Sequence, residues 1–252
     1  MLHRLRRPLR RHGSPRPPGS SDPSKRPGSS PSPAGGRRDR IWLLDLDNTL
    51  HDSRSELLPR IDRAMTRYMM DRLELSESEA GVLRRHYWRH YGATLLGLVR
   101  HHDVDSGHFL AQTHQFPDMP RLVRRNLRLR RALRQLPGRR VLVTNAPHHY
   151  ARQVLISLGV ATMIESIVSI ETMQVAGRIR PKPSIALMRR IVARLRTRAA
   201  RCVMVEDTLA NLVSARSAGL STVFVTGCLE AEPLGPAARR MRDILCWLDS
   251  EL

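Results

Sequence analysis

Asp45 and Asp47 stand one residue apart at the end of an apolar run, Ile41-Trp-Leu-Leu-Asp-Leu-Asp-Asn-Thr-Leu50. Alternate side chains of a strand point the same way, so a strand held through Leu46 sends both carboxylates to one side of its carboxyl end. That edge is where open α/β sheets bind ligands. Carboxylates held this close repel, and such a pair calls for a bound cation or a shared proton. An ordinary strand running into an acidic turn is also written with Asp and Asn, so the run alone is not yet a site.

Three later segments add to it. Val141-Leu-Val-Thr-Asn-Ala146 is a second β-branched strand, ending in the hydroxyl of Thr144 and the amide of Asn145. Arg180-Pro-Lys-Pro-Ser184 fixes Lys182 between two prolines, in a rigid non-helical stretch ahead of a helical pattern. Cys202-Val-Met-Val-Glu-Asp-Thr-Leu-Ala-Asn211 is a third strand, closing on the paired acids Glu206 and Asp207. The lysine is conspicuous by composition. Of 43 Lys and Arg residues only Lys25 and Lys182 are lysine, and Lys25 lies in a low-complexity tail. Lysine between prolines, in a chain that otherwise writes arginine, points to a need for a compact ammonium.

In this order the segments resemble the haloacid dehalogenase-like phosphohydrolase superfamily. The matching motifs are Asp45-Leu-Asp-Asn-Thr49, Thr144 with Asn145, Lys182, and Glu206-Asp207 with Asn211, framing about residues 41–225. Within that superfamily the chain is similar to bacterial pyrimidine 5'-nucleotidases. That likeness rests on Asp45-Leu-Asp-Asn-Thr-Leu-His51, Tyr91-Gly-Ala-Thr-Leu-Leu-Gly-Leu98 and Met204-Val-Glu-Asp-Thr-Leu-Ala-Asn-Leu212.

The resemblance implies a mechanism. Asp45 becomes the nucleophile, and Asp47 the general acid and then the general base. Mg²⁺, a cation suited to oxygen ligands and substrate phosphate, is held by Asp45, Asp207 and the backbone carbonyl of Asp47. Glu206 joins it directly or through water. Lys182 neutralises the nucleophile and holds a phosphate oxygen, to which the Thr144 hydroxyl and the Asn145 backbone N–H also donate. Thr49 and Asn211 support the site, Asn211 by orienting the Asp207 segment. His51, Tyr91 and Thr94 border the substrate. The implied substrate is UMP or CMP. The same core would also serve a sugar-phosphate or phosphoglycolate phosphatase or a phosphomutase. A true dehalogenase fits less well, because it has no need of Asp47 or of the Glu206-Asp207 pair.

The elements that must position these groups alternate. After Leu50 the apolar period becomes helical through Leu57, Leu58, Ile61, Met65, Tyr68, Met69 and Leu73. Ser76-Glu-Ser-Glu79 is a capping box that opens a second helix toward Tyr91. Shorter helical patterns follow near 93–102 and 106–115, and an arginine-rich helix is expected over 121–136. Strand and helix then alternate from 141 to 225, which implies a parallel sheet with helices on both faces. The expected fold is an α/β, Rossmann-like core of the dehalogenase type, formed by residues 40–50 and 121–252. A helical cap, residues 51–120, is inserted after the first strand. Tyr87 and Trp88 read as cap core, and the cap histidines show no metal-binding spacing.

Residues 1–39 are a different material, rich in Pro, Ser and Gly and expected to be disordered. Counting Arg40 beside them, they hold 11 basic residues against Asp22 and Asp39, so most of their charge is unbalanced. The chain as a whole carries a formal charge of +20. Such charge favours nonspecific contact with nucleic acid through the tail, but no aromatics interleave the basic run as a dedicated nucleic-acid site would require. The three cysteines form no disulfide or zinc pattern, and Cys202 reads as a small buried hydrophobe. No apolar run approaches the roughly 18 residues of a membrane span. A cytoplasmic enzyme is expected.

Overall fold

Strand periodicity builds a hydrophobic core on each face of a single sheet. In the computed structural model, which describes residues 39–225 and the backbone of residues 239–241, the strands are β1 (Ile41–Leu44), β2 (Arg139–Val143), β3 (Ser166–Val168), β6 (Cys202–Glu206), β7 (Ser221–Val225) and β8 (Arg239–Met241). Their order is β3-β2-β1-β6-β7-β8, with every neighbouring pair parallel. Ile41, Leu43, Val141, Val143, Cys202, Met204 and Phe224 enter one core. Their sequence neighbours Trp42, Leu44, Leu142, Val203, Val205, Val223 and Val225 enter the other. Both faces are dry, which is why these strands lack polar alternation. The expectation of disorder over residues 1–39 lies, up to residue 38, outside the described residues.

Helices cover both faces, as the alternation implied. Helix α8 (Ile185–Arg194) and helix α9 (Leu209–Ser217) supply Leu187, Met188, Ile191, Leu212 and Ala215 to the first core. Helix α6 (Leu127–Gln135) and helix α7 (His148–Leu158) supply Leu129, Leu133, Tyr150, Val154 and Leu155 to the second.

The cap is helical. It comprises α1 (Leu57–Leu73), α2 (Glu77–Tyr91), α3 (Thr94–His102) and α4 (Ser106–Thr113), followed by the short α5 (Met119–Leu122). The capping box at Ser76 is formed, with Glu79 N–H donating to Ser76 Oγ and Ser76 N–H to Glu79 Oε2. Tyr68, Met69, Tyr87, Leu98, Phe109 and Leu110 give the cap a second core, which Ile170 joins from the chain after β3. At its two ends the insertion joins the sheet-side core instead, through Leu57, Ile61, Phe116 and Met119.

Several local expectations differ from the structure. The arginine-rich helix does not run from 121 to 136: Val123 is extended, and a new helix starts where the Asn126 side chain accepts from Leu129 N–H. The arginine pattern concealed that cap. A hairpin also forms between β4 (Gln174–Val175) and β5 (Arg178–Ile179). Its two turn residues, Ala176 and Gly177, have φ of 50° and 74°, the signature of a tight primed turn. Trp88, expected in the cap core, is 60% exposed.

Candidate active site

Sheet register sets the site. Leu44 pairs with Leu142 on one side and with Val205 on the other, so Asp45 lies level with the end of β2 and with Glu206. Thr144 follows β2 immediately, and Asp207 follows β6. Parallel pairing of β1, β2 and β6 thus gathers residues more than 150 positions apart at one sheet edge, the usual ligand edge of such folds.

The first strand ends sooner than its sequence suggested. β1 stops at Leu44, although Asp45 N–H still donates to Val205 O at 3.0 Å. Leu46 O then accepts from Leu50 N–H at 2.9 Å, and Asn48 takes a left-handed φ of 62°. Asn tolerates that conformation, and its side-chain oxygen accepts from Ser53 Oγ at 3.0 Å. The turn brings His51 back over Asp47. The two aspartates consequently have different partners, where an unbroken strand would have presented them alike.

Asp45 faces the buried lysine. Lys182 Nζ donates to Asp45 Oδ1 at 2.6 Å and to Glu206 Oε2 at 2.7 Å, and all three residues are buried. The loop that carries Lys182 is clamped by Asn145, whose Nδ2 donates to Lys182 O at 2.8 Å while its Oδ1 accepts from Lys182 N–H at 2.9 Å. Asn145 therefore has a side-chain task beyond the backbone N–H assigned to it. The Lys182–Pro183 peptide bond is cis. Thr144 is buried, and its Oγ accepts from Ala146 N–H at 3.0 Å, which leaves the hydroxyl proton to donate elsewhere.

Glu206 has both oxygens engaged, since its Oε1 accepts from Thr208 N–H at 3.1 Å. Its principal contact is thus with the lysine. Asp207 is held from the cap side, where Arg54 Nη2 donates to Asp207 Oδ2 at 3.2 Å. Asp47 Oδ1 receives the Tyr150 hydroxyl at 2.8 Å and lies 3.2 Å from His51 Nε2. Asn211 is buried in the first turn of α9, and Thr49 is buried beside the first motif.

The electrostatics call for a cation. Burial raises the Asp45 carboxyl above its ordinary range against the pull of Lys182, and the charges of Asp207 and Asp47 raise it further. Glu206 is raised first by burial and then by Asp45. Burial would lower the Lys182 ammonium, but Asp45 and Glu206 hold it above its usual range. Among the described residues, the carboxylates of Asp45, Asp47, Glu206 and Asp207 thus share the site with one buried ammonium, Lys182, and one surface guanidinium, Arg54. Carboxylate oxygens of Asp45, Glu206 and Asp207 lie within 4.8 Å of one another. An all-oxygen donor set with excess negative charge fits a hard divalent cation such as Mg²⁺.

A turn of the cap also reaches the lysine loop. Gly92, with φ of 81°, lies so close to the lysine loop that a Cβ would sit 3.2 Å from Lys182 O. The Tyr91–Thr94 turn therefore abuts the lysine loop. Thr94 is buried, and its hydroxyl donates to Arg84 O at 3.2 Å, because it opens α3 against α2. The Tyr91 hydroxyl pairs with His101 Nε2 at 2.6 Å.

Tyr150 and Arg54 were missed by sequence reasoning. Tyr150 reads as one more apolar residue on the inner face of α7, and its signal was position: it lies within two turns of the Thr144-Asn145 strand end. Arg54 had no distinguishing signal among so many arginines. Beside Tyr150, buried His114 has its pKa pushed down to about 4, chiefly by desolvation.

Comparison with known proteins agrees with this architecture. Residues 40–219 match the family model of haloacid dehalogenase-like hydrolases. Among solved structures, CbbY from Rhodobacter sphaeroides in complex with phosphate is similar at 17% identity and a TM-score of 0.56, over 82% of this chain and 95% of that one. A HAD phosphatase from Thermococcus onnurineus is similar at 16% identity and a TM-score of 0.54, over 82% and 94%. A putative beta-phosphoglucomutase from Thermotoga maritima gives 18% and 0.54, over 84% and 100%. At these identities the likeness is one of fold.

Proposed function

The chain belongs to the haloacid dehalogenase-like hydrolase family, and from that premise we propose that it is a Mg²⁺-dependent phosphomonoester hydrolase acting on pyrimidine nucleoside 5'-monophosphates. One juxtaposition carries the reading: the Lys182 ammonium 2.6 Å from Asp45, in a buried site whose acids Asp45, Glu206 and Asp207 converge.

Hydrolysis of a phosphate monoester asks a catalyst for on the order of 20 kcal/mol of barrier lowering. A covalent intermediate divides that demand. The Asp45 carboxylate attacks phosphorus, the ester P–O bond breaks, and Asp47 protonates the departing oxygen. Asp47 then takes a proton from water as that water's oxygen bonds to phosphorus. The Asp45–phosphate bond breaks, releasing inorganic phosphate and restoring the carboxylate. Lys182 and the Thr144 hydroxyl donate to the phosphoryl oxygens, where charge develops. Glu206 and Asn145 hold the lysine for that purpose. Asp45, Asp207 and the Asp47 carbonyl would hold Mg²⁺, with Glu206 joining them directly or through water; when bound, the ion supplies charge neutralisation and orients the phosphate.

The base and sugar are assigned by the Tyr91-Gly-Ala-Thr-Leu-Leu-Gly-Leu98 resemblance, supported by the contact of the Gly92 turn with the lysine loop. The test is phosphate release from a panel of nucleoside 5'-monophosphates, sugar phosphates and phosphoglycolate, with Mg²⁺ and with chelator. UMP and CMP should lead the panel, and chelator should abolish release. Equal rates for purine nucleotides, or preference for a sugar phosphate, would reassign the substrate class.

A further inference from the structure

Asp47 must deliver a proton and later accept one through an oxygen that faces the substrate. A carboxylate on a tight turn can rotate, and each rotation exchanges which oxygen is presented. In this chain two groups act on the same oxygen. The Tyr150 hydroxyl donates to Asp47 Oδ1 at 2.8 Å, and His51 Nε2 lies 3.2 Å from that atom. Neither contact is incidental. Tyr150 is fully buried on α7, its ring packed edge-on against His114 at 5.7 Å and Phe116 at 6.1 Å between centroids. His51 is returned to Asp47 by the bond from Asn48 N–H to His51 O at 2.8 Å.

We propose that Tyr150 and His51 are positioning residues for Asp47, holding Oδ1 and so dedicating Oδ2 to proton transfer. The inference rests on the phosphohydrolase reading of the same site. An ionised carboxylate only accepts, and one protonated on Oδ2 still accepts at Oδ1. A tyrosine O–H and a histidine Nε2–H therefore satisfy Oδ1 in both halves of the cycle. Two donors from different elements, one on α7 and one on the turn after β1, also fix the carboxylate plane. Neither residue touches the substrate in this role; each acts through Asp47.

The experiment compares single-turnover phosphoryl transfer from two esters, a nucleoside monophosphate and p-nitrophenyl phosphate. The alkoxide leaving group of the first needs the acid, whereas p-nitrophenolate scarcely does. Tyr150→Phe keeps the ring and removes the donor. It should slow transfer from the nucleotide about 10-fold to 100-fold, the range for a hydrogen bond to a charged group, with KM and p-nitrophenyl transfer little changed. Adding His51→Ala should bring nucleotide transfer toward the rate of Asp47→Asn. Equal slowing of both esters, or none, overturns the proposal. A second readout is independent of activity: crystal structures of the wild type and of the Tyr150→Phe/His51→Ala protein. Asp47 should rotate or split into two conformers in the variant, and one unchanged conformer overturns the proposal. If the wild type releases no phosphate from either ester, the hydrolase reading fails, while the crystal comparison still decides whether these residues set the carboxylate.

Discussion

In the proposed mechanism Lys182 concentrates the chemistry and the stability of the site in one side chain. Lys182→Arg preserves charge, but a planar guanidinium is larger than an ammonium and prefers a bidentate fork. Beside Asp45 it would shift the nucleophile or the phosphate by about an ångström, which costs around 10²-fold in turnover. Lys182→Met leaves Asp45 and Glu206 buried without their partner, a change of roughly 3–5 kcal/mol in stability. Turnover and denaturant melts on both variants check this; an arginine variant as active as wild type would contradict it. At this scale much of the site was legible. Paired acids at strand ends and a solitary lysine between prolines are rare enough in an arginine-rich chain to be seen. Tyr150 was not, because a buried tyrosine on an apolar helix face is indistinguishable from core until its hydroxyl finds Asp47. Nor was the bracing role of the Asn145 side chain, which depends on a loop 37 residues away.

Between elements, the fit of α2 against α3 depends on Gly97, where a Cβ would fall 2.1 Å from the Tyr87 ring. The methyl of an alanine has no rotamer by which to escape, so the ring must shift, which strains the contact of its hydroxyl with His102 Nε2, now 2.7 Å away. Gly97→Ala should therefore destabilise the protein by roughly 1–3 kcal/mol, the usual range for overpacking. Denaturant unfolding measures it, and an unchanged midpoint would show that the helices separate freely. Elements with strong periodicity were legible: the buried strands by their unbroken apolar runs, α1 by its stripe, α2 by its capping box. The interruption before α6 and the β4–β5 hairpin were not. A single capping Asn is lost among arginines, and a two-residue strand has no period to read. β1 ends at Leu44 because the turn is stabilised by backbone bonds to Leu46 and His51, a choice no local pattern announces.

For the whole molecule, a neutral histidine buried between cap and core links folding to acidity. The His114 pKa of about 4 lies below its ordinary 6.5, so between these values the unfolded chain binds more protons than the folded one. The contribution is complete above about pH 6.5 and is lost as the pH falls toward about 4, by roughly 3 kcal/mol in all. Wild-type stability should drop more steeply than that of His114→Gln across this window, and parallel curves would contradict the assignment. No pattern in the sequence set His114 apart from the other cap histidines. Its burial comes from the way the insertion closes on Tyr150.

The central claim is that Asp45 carries the phosphoryl group between ester and water, and trapping that intermediate tests it most directly. The protein would be mixed with UMP and Mg²⁺, quenched in acid within milliseconds, and digested for mass spectrometry. The expected result is one phosphoryl group on the peptide containing Asp45, absent without Mg²⁺ and absent in Asp45→Asn. Undiminished phosphate release from Asp45→Asn, or a phosphoryl group on any other residue, would contradict it.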